Sequence, residues 1–598
     1  MANISKKPDF IFLPSAVKES KAYSQTPNDG TGDFTFYRNS TTTRINERGQ
    51  VESWPKNLYP SSETFQGGSF WTKTNSTVVD NTAIAPNGTL TAATLTDNST
   101  TGRHIVYYQD SPVIPANTIS IYAKANTATW LSLDLYNTQD RFTYFDLVNG
   151  VIGTVGTGIT ATMTYVGNGW YRCSCSTSSS VNGWIEFGIA DSNGVNNYSG
   201  TGKSIFVWGF QRELGSAPTA YMPTTTRLNL PTIDYSDGGP TLLLNPERTN
   251  LVTYSEDFSN AVWTKQSGIS VTTNQVIAPD GTLTADLVIG AGNSLGIYQA
   301  NNAPVSSSLP STKSIWMRGV NGGEVVILKD PHLTIGTLSC TLTKSWQRFV
   351  LTETQTTGTA GLWVASIPTT GIYLWGAQIE NAPNASSYIP TIASTVTRAL
   401  EGGTTNFIPK SNRVTVYAEF KLNSATTSYW VLGFRPAGTD SAASPFIYDL
   451  YYWGALSKEF GFNTWNGDSY GITNSTIADG KYHKVIAVFD YTNFANNELY
   501  IDGVKQTISQ VRGTTTQVTT KNNFSLINGN SNIDQHPNAH YREMAIWDTE
   551  LTDAECIDLT FQTSLSNALV NKHRQLVLGS GGVVEAENLL NNNLTNLK

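Results

Sequence analysis

The chain has 598 residues, of which 14% are charged, with 50 glycines and a net charge of −8 at pH 7. At roughly 100–200 residues per domain this length calls for several domains, and the Gly, Ser, Thr and Asn that take the place of charge favour short strands joined by polar turns over long helices. No Lys/Arg stripe offers cations to a phosphate backbone, which excludes nucleic acid as a partner, and 39% hydrophobic residues exclude a disordered chain.

The N-terminal stretch Met1–Pro14, MANISKKPDFIFLP, has neither a long apolar run nor a small-residue cleavage site. Nowhere do about 18 apolar residues follow one another, so neither a secretory leader nor membrane insertion is expected. Release by lysis within a virus particle is one way for such a composition to reach the outside. Residues 1–56 are rich in turns and are expected to lie outside the sandwiches that follow.

An internal repeat follows. Asn57-Leu58 with Ser61-Ser62-Glu63 and Phe70-Trp71-Thr72-Lys73 recurs as Asn250-Leu251 with Tyr254-Ser255-Glu256 and Val262-Trp263-Thr264-Lys265. Pro86-Asn87-Gly88-Thr89-Leu90-Thr91-Ala92 returns as Pro279-Asp280-Gly281-Thr282-Leu283-Thr284-Ala285, Trp170 as Trp346, and Val207-Trp208-Gly209 as Leu374-Trp375-Gly376. Each copy closes on a Tyr-x-Pro-Thr step, at Tyr221–Thr224 and Tyr388–Thr391. The first copy carries about 25 extra residues, which are expected in surface loops. Within both copies apolar residues alternate, as in Ile119, Ile121 and Ala123, the period of half-buried antiparallel strands. Two jelly-roll sandwiches are predicted, over 57–227 and 250–400, with a linker at 228–249. Cys173 and Cys175 fall on one face of a strand and are read as buried thiols; four scattered cysteines make no disulfide framework.

A third module is predicted over 401–562. Its strand signals are Val414–Leu422, Tyr429–Phe434, Phe460–Phe462, Tyr482–Asp490, Leu499–Ile501, Phe524–Ile527 and Arg542–Trp547. Asp502-Gly503 marks a two-residue hairpin, and Thr552 with Glu555 forms a capping box before a short helix. In the tail, 563–598, Leu590, Leu594 and Leu597 offer a short apolar seam for self-association.

These residues carry a resemblance. PNDGTGDFTFYRNSTTTRINERGQVE, LLLNPERTNLVTYSEDFSNAVWTK and the WGxQxE…SYIPT closure resemble segments of tail-fibre and head-fibre virion proteins of tailed bacteriophages, whose sandwich modules resemble carbohydrate-binding modules. WVLGF, YHKVIAVFDYTNFANNELYIDGVKQ and YREMAIWDTELTDAE are similar to laminin-G-like, concanavalin-A-like domains. The resemblance implies a receptor-binding protein on the exterior of a phage particle, most simply a homotrimer, held to other virion proteins by its N-terminal region and to a host cell-surface polysaccharide by its sandwiches.

Catalysis needs paired carboxylates or a placed histidine. The Glu-x-Asp-x-x-Glu strand of glycan hydrolases is missing from the third module, and Glu543, Asp548 and Glu550 read as surface charge. His536 and His540 are separated by Pro537, which breaks the helix that would join them; His483 sits in an alternating strand. Asp490, Asp502, Asn532 and Asp534 form no compact Asp-x-Asp-x-Asp loop, so no metal and no cofactor is expected. Sugar binding needs a flat aromatic with amides and carboxylates beside it. Tryptophans shared by both copies (Trp71, Trp170, Trp208, with Trp263, Trp346, Trp375) read as core. The unshared aromatics Trp453 and Trp465 with Tyr470, beside Asn466 and Asp468, are the candidate glycan site. The expectation is an all-β, non-enzymatic attachment protein of tandem jelly-roll sandwiches plus a laminin-G-like sandwich. The alternatives are a purely structural virion subunit and the binding region of a secreted glycan-degrading enzyme.

Overall fold

The computed structural model describes residues 8–561 except 13–16, 19–20, 23–33, 38–39, 55–56, 68–69, 115–116, 136–140, 178–180, 225–230, 293, 305–309, 333–335, 355–358, 406, 423–427, 436–447, 454–458, 465–468, 473–476, 514–517 and 527–537. Among the described residues it is all-β apart from the α-helix Asp553–Phe561 and short 3-10 turns such as Phe494–Asn496, and it divides into two compact units. One unit comprises 36–239 with 247–401; the other comprises 1–35, 240–246 and 402–598. Among the described residues no helix is long and apolar enough to cross a membrane.

The first unit holds the duplicated sandwiches. In the first copy one sheet runs in the order Thr160–Gly167, Trp170–Thr177, Asn117–Ala125, Ser204–Leu214, Ala92–Asp97, Ser76–Ala83. The facing sheet runs Val151–Ile152, Thr143–Asp146, Trp130–Asp134, Val181–Ala190, Thr101–Ile114, Asn197–Ser199. Ile119, Ile121, Cys173, Cys175, Leu131, Leu133 and Phe187 fill the space between the sheets. Burial pushes the Cys175 thiol up to about 12, as a thiolate without water requires. The second copy repeats this plan with Ser270–Val276, Ala285–Ile289, Ile372–Glu380, Pro310–Gly319 and Gln347–Thr354 over Thr264–Lys265, Gly296–Pro304, Thr359–Ala365, Val325–Lys329 and Thr337–Thr341. The extra residues of the first copy do more than lengthen a loop: they add the edge strand Thr160–Gly167, which pairs with Trp170–Thr177. Its alternating Thr-Ala-Thr-Met pattern satisfies the period that the neighbouring strand offers.

The shared motifs are structural, and each has a reason. Asn57 donates to the carbonyls of Phe210 (2.9 Å) and Met222 (3.1 Å), and Asn250 donates to those of Ala377 (3.1 Å) and Ile389 (2.8 Å), so one amide ties the entering strand to the closing one. The Tyr-x-Pro-Thr closure is pinned by Ser62 Oγ accepting from the Thr224 amide (2.7 Å) and Ser255 Oγ from that of Thr391 (2.9 Å). Trp208 and Trp375 are 4% and 1% exposed and donate to Thr91 and Thr284, respectively. The glycine that follows each, Gly209 (φ +63°) and Gly376 (φ +65°), occupies a left-handed bulge where the register slips, and a Cβ on Gly376 would lie 2.9 Å from the Trp316 ring.

The N-terminal hairpin Thr42–Ile45/Val51–Trp54 belongs to this unit and covers the second copy. Val51 joins Trp316, Trp375 and Tyr388 in one apolar cluster, its amide donates to Pro279 (3.0 Å), and Thr43 Oγ1 donates to the Tyr388 carbonyl (2.6 Å). Among the described residues the corresponding cluster of the first copy, Trp208, Tyr122 and Tyr221, has no such hairpin residue, and Tyr122 and Tyr221 stay half-buried.

In the other unit, Thr241–Leu244, Ala539–Trp547, Arg413–Leu422, Tyr482–Asp490, Glu498–Ile501 and Val504–Lys505 form one sheet, with Phe10–Phe12 also pairing with Ala539–Trp547. Gly402–Thr405, Asn523–Leu526, Ser428–Arg435, Tyr448–Trp453, Glu459–Thr464, Ser469–Ile472 and Ser509–Arg512 form the second. The Asp502-Gly503 turn has φ of +48° and +84°, the left-handed pair that two-residue hairpins prefer. The capping box forms: Thr552 Oγ1 and its amide donate to Glu555 Oε2 at 2.9 Å, and the Glu555 amide donates back at 3.3 Å. Leu551, Cys556 and Leu559 then pack on Tyr417, Ile486 and Trp547. The tail with Leu590, Leu594 and Leu597 lies outside the described residues.

Candidate functional site

Positions that both copies share hold the fold, whereas recognition needs positions that differ between the copies and reach solvent in at least one of them. One lateral row of the second copy's sheet formed by Thr264–Lys265, Gly296–Pro304, Thr359–Ala365, Val325–Lys329 and Thr337–Thr341 meets that condition. Core residues alternate with outward ones: Ile297, Leu362 with Val364, and Val326 with Leu328 enter the interior, which turns Tyr298, Trp363 and Lys329 to the opposite face. Register places the three side by side, Tyr298 opposite Trp363 and Trp363 opposite Lys329. The Tyr298 and Trp363 rings lie 5.6 Å apart at 50°, and Lys329 Nζ sits 3.6 Å over the indole. All three are half-buried. Beside the indole on its own strand stand Gly361 and Ala365, both buried; a Cβ on Gly361 would come 2.4 Å from Pro331, whose ring packs against the strand there.

The first copy has a different row at the same register. Tyr107 faces Glu186, and Glu186 faces Asp134. Glu186 is 1% exposed and Asp134 has no exposed surface. Arg103 Nη1 meets the Glu186 carboxylate at 2.9 Å and its guanidinium lies 5.6 Å from the Phe142 ring centroid. Burial raises the pKa of the Tyr144 hydroxyl, and the charges of Asp134 and Glu186 raise it further. This row is a closed polar network, whereas that of the second copy is open, aromatic and cationic.

In the third module the candidate residues separate. Trp453 ends its strand at register positions opposite Ser428 and Glu459. Tyr470 is opposite Phe462, and its ring meets Phe494 at 6.1 Å and 72°. Trp465, Asn466 and Asp468 lie outside the described residues. The groups weighed for catalysis are engaged elsewhere. Asp548 accepts the amides of Lys410 and Ser411 (2.9 and 2.8 Å), Glu550 pairs with Arg413 (2.9 Å), and Glu543 faces Glu419 across the ladder. His483 bridges Asp502 (2.7 Å) and Asp479 (3.1 Å); His540 is on a strand and meets Thr241 at 3.2 Å, while His536 is not described. Asp490 caps the turn at Thr492–Asn493. Among the described residues no cluster of three or more His, Cys, Asp or Glu is arranged to hold a metal.

Tyr298, Trp363 and Lys329 do not stand out in the sequence read by motif, yet a signal was there. Aligned through Thr72 with Thr264, the repeat sets Trp363 against Glu186 and Lys329 against Asp134, unshared residues inside shared strands.

Residues 396–556 match the family described as the concanavalin A-like lectin/glucanases superfamily, in its Laminin_G_3 branch. No curated protein matches the chain. Among solved structures, the Ruminococcus gnavus IT-sialidase CBM40 bound to α2,3-sialyllactose is 17% identical, with 25% of this chain and 83% of that one covered at a TM-score of 0.19. The tandem CBM22 domains of Paenibacillus barcinonensis Xyn10C are 10% identical, with 54% and 99% covered at 0.19. Trypanosoma rangeli sialidase with sialic acid is 11% identical, with 91% and 99% covered at 0.20. At such TM-scores these likenesses carry no argument about site or activity.

Proposed function

We propose that the chain is a glycan-binding attachment protein and that recognition, not chemistry, is its work. The observation that carries the reading is the Tyr298–Trp363 pair, a pair of half-exposed rings side by side on the outer face of a rigid sheet. Such a surface takes the C–H face of a sugar ring once the Lys329 side chain moves off the indole. The match of residues 396–556 to a lectin-bearing superfamily supports a second binding module, where Trp453, Trp465, Asn466, Asp468 and Tyr470 remain the proposed contacts.

We place it on the exterior of a bacteriophage particle, as a tail or head fibre, on the strength of the three quoted sequence segments. In that setting the N-terminal region holds other virion proteins and the chain acts as a homotrimer. A single sugar site gains little net free energy, because water already bonds well to both partners. Several copies on one particle raise the effective affinity by about 10²–10⁴.

The test is an array of bacterial surface polysaccharides probed with the full chain as purified. Retention on at least one glycan, abolished by competing free oligosaccharide, is expected. A folded chain that holds no glycan overturns the reading in favour of a structural subunit.

A further inference from the structure

We infer that the second sandwich selects a negatively charged saccharide, one bearing a carboxylate or a sulfate, through Lys329 beside Trp363; this rests on the glycan-binding reading above. The inference begins with the duplication. Tyr107, Glu186 and Asp134 of the first copy and Tyr298, Trp363 and Lys329 of the second stand at the same register, so the scaffold is constant and the chemistry of the row has changed. Two carboxylates in one copy have become an indole and an ammonium in the other. The carboxylates are shut in, with Glu186 on Arg103 at 2.9 Å. The ammonium instead rests on an aromatic face at 3.6 Å, and among the described residues no carboxylate lies within ion-pair distance of it.

That arrangement has a consequence for ligands. A sugar ring stacking on that face of Trp363 displaces Lys329 from it and ends the cation–π contact. A neutral sugar offers the displaced ammonium only hydroxyls, which bond no better than water does. A sugar with an anionic substituent gives it a charge-assisted hydrogen bond at the edge of the site it has just vacated. Ring and anion are therefore read together, the ring by Trp363 with Tyr298 and the anion by Lys329.

The experiment uses the full chain and its Lys329→Gln, Lys329→Arg and Trp363→Ala variants. The array carries polygalacturonate, its methyl-esterified neutral form, a sialylated oligosaccharide, a sulfated galactan, and neutral xylan and galactan. The expected result is retention on an anionic glycan that falls by about 3- to 10-fold in Lys329→Gln, a half-exposed charge-assisted contact. Lys329→Arg should retain it, Trp363→Ala should lose it, and added salt should weaken it for the parent. Preference for the carboxylate or the sulfate members then identifies the anion. Equal binding by parent and Lys329→Gln, or retention confined to neutral members, overturns the inference and leaves the glycan-binding reading standing. Retention on no glycan at all removes both. Should Lys329→Gln fail to fold, the salt series on the parent and its discrimination between polygalacturonate and the methyl ester decide the matter alone.

Discussion

Trp208 and Trp375 show what a shared residue does in a duplicated fold. Each is buried and spends its indole N–H on the threonine just before a neighbouring strand, Thr91 or Thr284. Replacing either with alanine leaves a large cavity and should cost about 3–5 kcal/mol, seen as a lower calorimetric transition for that unit; an unchanged transition would mean the ring is dispensable. Glu256 makes a second case. It accepts from Tyr388 at 3.0 Å, and burial first, then Asp280, raise its pKa to about 7. Asp286 is likewise raised by burial, to about 6. In the folded chain both carboxyls hold protons that the unfolded chain has already released, so between about pH 4.5 and 7 stability falls as pH rises. Thermal unfolding should show that slope, and Glu256→Gln should flatten it by an amount on the order of 1 kcal/mol, since the group is half-buried; a slope of opposite sign contradicts this assignment. The burial of Trp71, Trp170, Trp208, Trp263 and Trp375 was legible from the repeat alone, whereas Trp346, read as core with them, is only half-buried. The role of Trp363 was not legible, because an aromatic in an alternating strand reads as core until strand register shows which neighbours share its face.

The hairpin Thr42–Ile45/Val51–Trp54 illustrates the limit of reading elements in chain order. Its polar, turn-rich sequence suggests an arm separate from the sandwiches, yet Arg44 pairs with Glu52 (2.6 Å) and stacks on Trp54 (3.7 Å), and this stiffened ribbon lays Val51 on Trp316 and Trp375. Partners more than 200 residues away leave no periodic trace near the hairpin. Val51→Asp places a charge in that cluster and should destabilise the unit by about 2–4 kcal/mol while opening the turn near Gly49 to protease; resistance equal to the parent would show the hairpin to be incidental. Local chemistry was read more completely. The Asp502-Gly503 turn and the Thr552–Glu555 box depend only on residues within a few positions, and both form. Thr552→Ala should therefore cost about 1 kcal/mol, measured as a shift in denaturant midpoint.

For the whole molecule, the central claim is a scaffold used twice, with a closed polar row in one copy and an open aromatic one in the other, working as a multivalent glycan reader. Alternation and the repeat made the all-β sandwiches legible, whereas three strands were not legible: Thr160–Gly167 has no counterpart in the other copy, Tyr448–Trp453 lacks a clean apolar/polar alternation, and Ser469–Ile472 is four residues long with a glycine inside it. Multivalency predicts a trimer, three times the 65.0 kDa chain, by light scattering at micromolar concentration; a monomer there removes the avidity argument and leaves the site. The site itself is tested most directly by measuring retention of the full chain and of Trp363→Ala on the immobilised glycan that the parent holds best. A loss of about tenfold or more with the thermal transition nearly unchanged is the predicted result. Equal retention by a folded Trp363→Ala chain would contradict it.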